Sequence, residues 1–469
     1  MRLSTTFFTL LLGSAAFGQV WEKPIAPGLT YRMEVEAAGP RLIHALRYTP
    51  GAPGLRLSAE LAGGTINEEG TVKGRLAPSR MAKDLKAIAA INSDFFSFEH
   101  GAPIGLMVRN GELLTSPFKP RSTFGWGQET VFGFPSFRAT ATEESGLSLP
   151  LSTINQPVGQ NQIGLYTPVS GLVEISGENL MALIKLDEPT VKPDGLLHGT
   201  VDYLIADSQR MNVPAGKVLI LARGNKTQVL ANLRPERKVV FDIQTRGFDW
   251  SKVENAVGGG PFLLKEGRVA IDALEEGFNA SFSDARHPRT AVGKTKEGDI
   301  WFVAVDGRQS MSIGATLREM ADIMLRLGCV DAMNLDGGGS TNLHLLGVTV
   351  NRPSDNAERP VSSALLFFAP QPEAVKGTAK IELPSTFTPG SQFEAKFMID
   401  GKQVPHSEVI WSMQGAGWID QGGLVRLIGE GKATLTAYSR GNILSITIPV
   451  KAPSRVLHPS KRTTAKVGI

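Results

Sequence analysis

The amino-acid sequence predicts an α+β fold, a mixed and strand-rich domain with few helices, followed by a small all-β sandwich. Three observations lead to this prediction. The 469 residues include 51 glycines and 29 prolines, which favour many turns. Short β-type segments recur between about residues 29 and 370, for example at 30–35, 218–222 and 239–243. Short alternating segments with turn residues between them then fill residues 380–450, as is typical of a sandwich.

The clearest predicted helix begins at Thr316. Thr316 and Glu319 form a capping-box pattern, and Gly328 suits the position just after a helix. Apolar residues at 317, 320, 324 and 327 would form one buried face of this helix. A second helix is predicted around residues 80–86, followed by a buried strand at 87–91.

Composition narrows the class of protein. Hydrophobic residues make up 42% and charged residues 20%, which is the usage of a folded globular protein rather than a disordered one. The net charge of +4 is small for this length and gives no sign of nucleic-acid binding. The single cysteine, Cys329, excludes an intrachain disulfide and a cysteine-based metal cluster, and its apolar neighbours predict a small buried side chain.

The N-terminus predicts export from the cell. Residues 1–18 combine Arg2, an apolar core at 7–12 and a small-residue cleavage pattern at Ala16 and Gly18, which together indicate a signal peptide. An uncleaved anchor or a buried N-terminal helix is the alternative. No later apolar run is long enough to span a bilayer. We therefore expect a mature chain without a transmembrane anchor that is secreted, periplasmic or at the cell surface.

The rest of the chain divides into three predicted parts. Residues 20–370 would form a catalytic domain and residues 376–452 a β-sandwich. Residues 453–469 carry basic residues, no acidic ones and little core material, which predicts a flexible tail. This tail is either solvated or attached to an anionic surface.

The first chemically informative motif follows the buried strand at 87–91. Asn92 and Asp94 lie at the end of that strand, where side chains reach solvent. Asp94 is a candidate acid, base or metal ligand. Alternatively, both side chains hold the next loop through backbone hydrogen bonds.

A second motif consists of Gly258, Gly259 and Gly260 before a predicted strand at 262–264. Consecutive glycines allow close approach of the backbone to a ligand, and their amides can bind an anion. A tight turn is the alternative.

The third motif contains His287 and Arg289, separated by a proline. Arg289 suits a bidentate contact with phosphate or carboxylate, and His287 titrates near neutrality and could serve as an acid or base. An arginine paired with a structural aspartate is the alternative.

The fourth motif is the most informative. A strand at 300–305 ends at Asp306, the capped helix follows, and a second strand at 332–335 ends at Asp336. This order fits a crossover between parallel strands, which would put both aspartates at one edge of a sheet. Two carboxylates facing one cleft suit acid–base work on an acetal or phosphodiester, or could hold a divalent cation. A pair of structural turns is the alternative.

These motifs, taken in order, resemble the phosphodiester glycosidase family. The stretches that carry the resemblance are residues 90–96, 258–261, 284–293, 305–308, 334–341, 351–355 and 358–361. The resemblance covers roughly residues 30–368. It implies hydrolysis of the bond between the anomeric carbon of a sugar and a phosphodiester oxygen.

The resemblance also implies roles for residues. Asp306 and Asp336 would be the catalytic carboxylates, with acid and base left unassigned, and Arg289 and Arg308 would contact phosphate. Together with the motifs above, the expected substrate-binding set is completed by His287, Asn92, Asp94, Gly258, Gly259, Gly260, Asn334, Gly337, Gly338, Gly339, Ser340 and Thr341. No cofactor is assigned, and the need for a divalent cation, calcium or magnesium, stays open.

The expected partner is a glycan or sugar-phosphate substrate, and nucleic acid is not expected. Residues 409–412 and 429–434 resemble bacterial Ig-like domains of the group 2 type, which implies a module for attachment at the cell surface. Two other functions stay open. One is a glycosidase that acts on cell-wall glycan without phosphate, and the other is a non-catalytic protein that binds surface glycan.

Overall fold

The computed structural model describes residues 18–68, 73–117, 119, 121–371 and 373–452. The chain divides into two compact units, Met1–Glu373 and Ala374–Ile469. The predicted signal peptide, except Gly18, and the predicted tail at 453–469 lie outside the described residues. Within these ranges, the helices lack the length and apolar character that crossing a bilayer requires.

Helices form a minor part of the described residues, which contain four α-helices and four 3-10 helices. The α-helices are α1 (Pro78–Leu85), α2 (Lys226–Leu230), α3 (Ala280–Asp284) and α4 (Leu317–Arg326). The 3-10 helices are Ala62–Gly64, Pro168–Ser170, Gly338–Ser340 and His406–Glu408. The prediction of a strand-rich α+β protein with few helices is confirmed.

Helix α4 begins as the sequence predicts. The Thr316 hydroxyl accepts a hydrogen bond from the Glu319 amide at 3.1 Å, and the Glu319 carboxylate accepts one from the Thr316 amide at 2.9 Å. This capping box satisfies two backbone donors that have no partner inside the helix. Gly328 follows the helix with a φ of +81°, a left-handed conformation that glycine adopts without strain.

The first unit is built mainly from short strands. They are β1 (Gln19–Ala26), β2 (Leu29–Glu36), β3 (Arg41–Tyr48), β4 (Arg56–Leu61), β5 (Ala89–Asn92), β6 (Met107–Arg109), β7 (Glu112–Thr115), β8 (Thr123–Gly127), β9 (Val131–Gly133), β10 (Ser136–Glu143), β11 (Ser148–Leu151), β12 (Thr153–Ile154), β13 (Ile163–Tyr166), β14 (Leu172–Glu174), β15 (Asn179–Leu186), β16 (Asp194–Ala206), β17 (Arg210–Asn212), β18 (Lys217–Arg223), β19 (Lys238–Arg246), β20 (Val253–Gly258), β21 (Phe262–Lys265), β22 (Arg268–Val269), β23 (Arg289–Thr295), β24 (Ile300–Val305), β25 (Cys329–Asn334), β26 (Leu343–Leu345), β27 (Val348–Thr349) and β28 (Ser363–Phe368).

Two sheets of this unit position the candidate site. The first has the strand order β1-β2-β3-β24-β23-β25-β21-β22, and the second has the order β27-β26-β5-β28-β4. Strands β24 and β25 are both antiparallel to β23, which lies between them, so they run in the same direction but are not neighbours. Asp306 and Asp336 therefore follow strands that end at the same edge of the first sheet.

The remaining strands of the first unit form three further sheets. Their orders are β7-β6-β20-β8-β9, β11-β10-β19-β16-β15-β18-β13-β12 and β14-β17. Buried aliphatic residues and Phe241 fill the core of the eight-stranded sheet among these. Helix α4 packs on the first sheet through Leu317, Met320 and Met324, which are fully buried together with the nearby Cys329.

The second unit is all-β in its described residues apart from one 3-10 helix. Its strands are β29 (Ala379–Glu382), β30 (Gln392–Glu394), β31 (Lys396–Ile399), β32 (Lys402–Gln403), β33 (Ile410–Gly415), β34 (Gly417–Ile419), β35 (Leu424–Leu427), β36 (Gly431–Ser439) and β37 (Asn442–Val450). They form three three-stranded sheets around a core that includes Phe397 and Trp411, both fully buried.

Candidate active site

The candidate site lies where the first and second sheets meet. Asn92, the last residue of β5, is fully buried and links the two sheets through its side-chain amide. Its Nδ2 donates to the carbonyl oxygen of Asp336 at 2.7 Å, and its Oδ1 accepts from the Thr290 hydroxyl at 2.9 Å and the Asn342 amide at 3.0 Å. The sequence predicts that Asn92 shapes a substrate pocket; in the structure its side chain joins the strand ends that carry Asp94 and Asp336.

Asp94 is the first of two carboxylates at this junction. Its side chain is buried, with Oδ1 accepting from the Phe95 amide at 2.7 Å and Oδ2 accepting from the Gly105 amide at 2.6 Å. Burial raises the pKa of Asp94 to about 7, against the opposing effects of Arg121 and the two amides, and the charge of Asp336 adds to the rise. The two amide hydrogen bonds also hold the loop that follows Asp94, as in the alternative role that the sequence leaves open.

Asp336 is the second carboxylate. Its amide donates to the carbonyl oxygen of Ser93 at 3.0 Å, which places it beside the strand end that carries Asp94. Burial raises the pKa of Asp336 to about 6, although Ser340, Arg359 and the Gly337 amide act in the opposite direction. Two neighbouring carboxylates with raised pKa values are suited to exchanging a proton with a substrate near neutral pH.

Three arginines from separate segments lie near this pair, two of them acting on its charges and the third bordering the glycine loop after Asp336. Arg121 acts on Asp94 electrostatically, and its guanidinium lies 4.3 Å from the ring centre of Phe278. Arg359 lowers the pKa of Asp336 and donates to Asp355 from Nε at 3.0 Å and Nη2 at 2.7 Å.

Arg308 completes the cationic group. A Cβ added at Gly338 would lie 3.2 Å from Arg308 Nη2, so this exposed guanidinium borders the glycine loop after Asp336. Arg308 Nη2 also lies 3.3 Å from His287 Nδ1. The pKa of His287 is lowered by burial and by the charges of Arg289 and Arg308, which favours a neutral imidazole at pH 7.

The glycines at 258–260 and 337–339 allow close packing of the chain more than they allow anion binding. A Cβ at Gly258 would lie 2.7 Å from Gly105 Cα and 2.9 Å from Asp94 Oδ2, and one at Gly259 would lie 2.7 Å from the Asn334 carbonyl oxygen. The amides of Gly258 and Gly260 donate to backbone carbonyl oxygens. These two donors are already used, so the amides of Gly258 and Gly260 are not free to bind an anion as the sequence predicts.

In the glycine loop after Asp336, the first two amides also have acceptors within the protein. The Gly337 amide donates to Asp336 Oδ1 at 2.8 Å, and the Gly338 amide donates to the Pro288 carbonyl oxygen at 2.8 Å. A Cβ at Gly339 would lie 2.1 Å from both Arg359 Nη2 and Asp355 Oδ2. The Arg359–Asp355 pair thus packs directly against the backbone of Gly339, and a side chain at this position would displace it.

Arg289 differs from its predicted role. Its side chain is 1% exposed, its Nε donates to the Ala315 carbonyl oxygen at 3.0 Å, and its Nη2 donates to the carbonyl oxygens of Phe282 at 2.5 Å and Ala285 at 3.0 Å. Burial lowers the pKa of Arg289 to about 10. These contacts hold the segment around α3 and favour a structural role for Arg289 over the predicted phosphate contact.

Asp306 also differs from its predicted role. It is fully buried and accepts from the Arg352 amide at 3.0 Å on both oxygens and from Asn351 Nδ2 at 3.2 Å. His44 Nε2 lies 3.6 Å away. The geometry gives Asp306 the role of an internal acceptor for the 351–352 turn, whereas the Asp336 amide bonds to Ser93, the residue before Asp94.

The other predicted pocket residues support the loops. Asn334 is fully buried and donates from Nδ2 to the carbonyl oxygens of Gly260 at 2.9 Å and Leu335 at 2.6 Å. Ser340 and Thr341 are buried just beyond the glycine loop, and the Thr341 hydroxyl lies 3.4 Å from that of Thr290.

Sequence reasoning missed Arg121, Arg359 and Glu276. Glu276 is buried and accepts from the Ser122 amide at 2.8 Å, the Ser122 hydroxyl at 2.9 Å and the Phe262 amide at 2.7 Å, which fixes the residue next to Arg121. Arg359 lies in the recognised 358–361 stretch, so that stretch could have indicated it. No local pattern marks Arg121 or Glu276.

A metal site receives no support from clustered side chains. Among the residues that the structure describes, no group of three or more His, Cys, Asp or Glu side chains could hold a metal ion.

Part of the first unit matches a known protein family. Residues 199–368 match the family model described as phosphodiester glycosidase. This segment includes Asp336, Arg308 and Arg359, whereas Asp94 and Arg121 lie before it.

Two curated relatives match over short stretches. The SPbeta prophage-derived uncharacterized protein YomE of Bacillus subtilis (strain 168) is 38% identical over 87 residues, which is 19% of this chain and 14% of that protein. The N-acetylglucosamine-1-phosphodiester alpha-N-acetylglucosaminidase of Bos taurus is 35% identical over 104 residues, 22% of this chain and 20% of that protein. The chain therefore matches a fifth or less of the length of these relatives.

Similarity in structure extends further. A hypothetical protein from Synechocystis, solved by crystallography, has a TM-score of 0.64 and 26% identity, and the match covers 75% of this chain and 64% of that one. The shared fold therefore reaches well beyond the segment that matches the phosphodiester glycosidase model.

Proposed function

We propose that this protein hydrolyses the glycosidic bond of a sugar-1-phosphodiester in an extracellular or cell-surface glycan. The observation that carries the proposal is the pair formed by Asp94 and Asp336, two carboxylates with raised pKa values, next to three arginines. The match of residues 199–368 to the phosphodiester glycosidase model supports the same reaction class.

The arginines favour an anionic substrate. A phosphodiester carries one negative charge before the anomeric bond breaks, and its leaving oxygen gains a second as the bond electrons pass to it, so two carboxylates alone would repel it. Arg121, Arg308 and Arg359 offset that repulsion and stabilise the charge that develops on the phosphate as the anomeric bond breaks. Arginine also matches phosphate oxygens geometrically through its planar donors.

Relative burial suggests how the two carboxylates divide the work. Asp94 is the more buried of the two, which favours its neutral form, and we assign it the role of proton donor to the leaving oxygen. Asp336 is partly exposed and would act in its ionised form, to stabilise positive charge at the anomeric carbon or to activate water. The phosphate monoester that leaves is a stable anion, so only partial protonation of its oxygen is required.

Export and surface attachment belong to the same proposal. Residues 1–18 would direct secretion, and the second unit, in the role of an Ig-like module, would hold the catalytic unit near its glycan with help from the basic tail. The export signal and the sequence stretches at 409–412 and 429–434 support this part.

The test uses the chain without residues 1–18 and N-acetylglucosamine 1-(methyl phosphate) as substrate. Release of free sugar and methyl phosphate is the expected result, with Asp94→Asn and Asp336→Asn each lowering kcat by roughly 100- to 10,000-fold. A phosphate-free peptidoglycan fragment is assayed in parallel. Cleavage of that fragment alone would favour a cell-wall glycosidase, and glycan binding without any released sugar would favour a non-catalytic protein.

A further inference from the structure

One cavity in the first unit is lined neither by the residues of the carboxylate pair nor by the three arginines described with it. Its volume is about 1080 Å³. This is at the upper end of the range of about 300–1,000 Å³ for small-molecule sites, so it exceeds what a single sugar requires. Apolar side chains such as Val158, Val173 and Leu221 form part of its lining and are nearly fully buried.

The charged residues on the cavity wall balance one another. Its acidic and basic side chains are Glu68, Glu99, Glu174, Lys73, Arg210 and Arg223. Arg210 and Glu174 form an ion pair at 2.7 Å. A lining that is mostly polar, with as many acidic as formally basic side chains, favours an uncharged ligand rich in hydroxyl and amide groups over an anionic one.

Polar groups on the wall are held in fixed positions. Arg223 donates from Nη1 to the Val158 carbonyl oxygen at 2.8 Å and from Nη2 to the Ser176 carbonyl oxygen at 2.9 Å. Its Nε is buried and has no hydrogen-bond partner among the described residues. The Tyr166 hydroxyl donates to the Gln156 carbonyl oxygen at 2.9 Å. Because these side chains are already ordered, they should lose little conformational entropy when a ligand binds.

One loop connects this cavity with the carboxylate pair. The loop from Asp94 to Gly105 is closed at its base by the Gly105 amide on Asp94 Oδ2. At its tip, Glu99 and His100 line the cavity, while the Phe98 ring centre lies 5.5 Å from the guanidinium of Arg359. The cavity and the charged site thus occupy two sides of the same loop.

We propose that the cavity binds a neutral oligosaccharide portion of the substrate, several sugars away from the bond that is cleaved. This inference rests on the proposed function for its link to catalysis, and on the cavity itself for binding. Sugars held there would add remote binding energy that raises kcat/KM for long substrates over short ones.

The experiment compares two N-acetylglucosamine 1-phosphodiesters, one with methanol and one with a neutral β-1,4-linked tetramer of N-acetylglucosamine as the second alcohol. We expect kcat/KM to be at least roughly tenfold higher for the long substrate. Ser176→Trp, at an exposed position on the cavity wall, and Arg223→Ala should remove this advantage and leave the methyl substrate unaffected. Ser148→Trp, an exposed strand residue outside the cavity, is the matched control and should keep the advantage.

Direct binding separates this inference from the proposed function. Calorimetry measures the affinity for the phosphate-free tetramer. The wild-type chain and the Ser148→Trp variant should bind it with equal affinity, and Ser176→Trp should bind it at least roughly tenfold more weakly. Equal kcat/KM for both substrates, or equal tetramer binding by Ser176→Trp and wild type, would overturn the cavity proposal. Tetramer binding without hydrolysis of either substrate would overturn the proposed function and support the cavity.

Discussion

Asn92 donates a 2.7 Å hydrogen bond from its side chain to the carbonyl oxygen of Asp336. Because Asn92 also ends the strand that leads to Asp94, a single buried amide relates the positions of both candidate carboxylates. The same side chain accepts from Thr290 and Asn342, so all its links are internal to the protein.

Replacing Asn92 should therefore lower stability. Asn92→Ala leaves the Asn342 amide and the Thr290 hydroxyl without this acceptor, and we expect a loss of about 3 kcal/mol in the free energy of unfolding. Urea denaturation measures it. Asn342→Ala is the matched control, because this side chain is as buried as Asn92 but its amide group has no hydrogen-bond partner among the described residues, so a much smaller loss is expected.

Asp306→Asn should distinguish the two candidate carboxylate pairs. Asp306 accepts from the Arg352 amide on both oxygens, so the variant should lose about 2 kcal/mol of stability while its folded fraction keeps most of its kcat. Asp94→Asn should instead lose most of its kcat. A loss of kcat in folded Asp306→Asn as large as that in Asp336→Asn would restore the pair that the sequence predicts.

The pH dependence of kcat/KM should be bell-shaped. Activity falls below about pH 6 as Asp336 takes up a proton, and falls above about pH 7 as Asp94 loses its proton. Initial rates on the methyl phosphodiester between pH 4 and 9 measure both limbs. In Asp94→Asn the residual activity should lose the alkaline limb and keep the acidic one; an unchanged bell in that variant would contradict the assignment.

Burial of Asp94 should also make stability depend on pH. Its pKa is raised from 3.8 to about 7 on folding, so the folded state binds more protons than the unfolded state between these values. The free energy of unfolding should therefore fall as pH rises from about 4 to 7, by up to about 4 kcal/mol from this group. Asp94→Asn should remove that slope, which urea denaturation at pH 4.5, 6 and 7.5 can establish; an identical slope in both proteins would argue against the raised pKa.

Arg308 and Arg359 should discriminate in favour of charged substrates. Arg308→Gln or Arg359→Gln should raise KM for the methyl phosphodiester by roughly 10- to 100-fold, the equivalent of one charge-assisted hydrogen bond. A neutral p-nitrophenyl glycoside of the same sugar serves as the control substrate and should respond by less than about threefold. Equal effects on both substrates would mean that these arginines shape the pocket without recognising phosphate.

Features that depend only on neighbouring residues could be predicted from the sequence. The capping box of Thr316 and Glu319 and the strand at 300–305 need only neighbouring residues, and both are present. The pairing of Asp94 with Asp336 depends on how two sheets meet, and no local pattern reveals it.

The contacts of Asp306 and Arg289 also depend on how distant segments meet. Both aspartates of the predicted pair do follow strands that end at one sheet edge, but the 351–352 turn covers Asp306 and leaves Asp336 at the junction. Arg289 has the local surroundings of a ligand-binding arginine, yet carbonyl oxygens of residues 282, 285 and 315 already surround it.

The hydrogen bond from Gly105 to Asp94 has a consequence for how this protein can diversify. Because both ends of the loop are fixed at the carboxylate, residues between them can change in number or kind without moving the Asp94 side chain. If Asp94 acts as we propose, substrate preference can change through the tip near Phe98 and His100 while the reaction is preserved. Loop tips of different lengths could be grafted between these two ends to change the glycan specificity while the rest of the site stays the same.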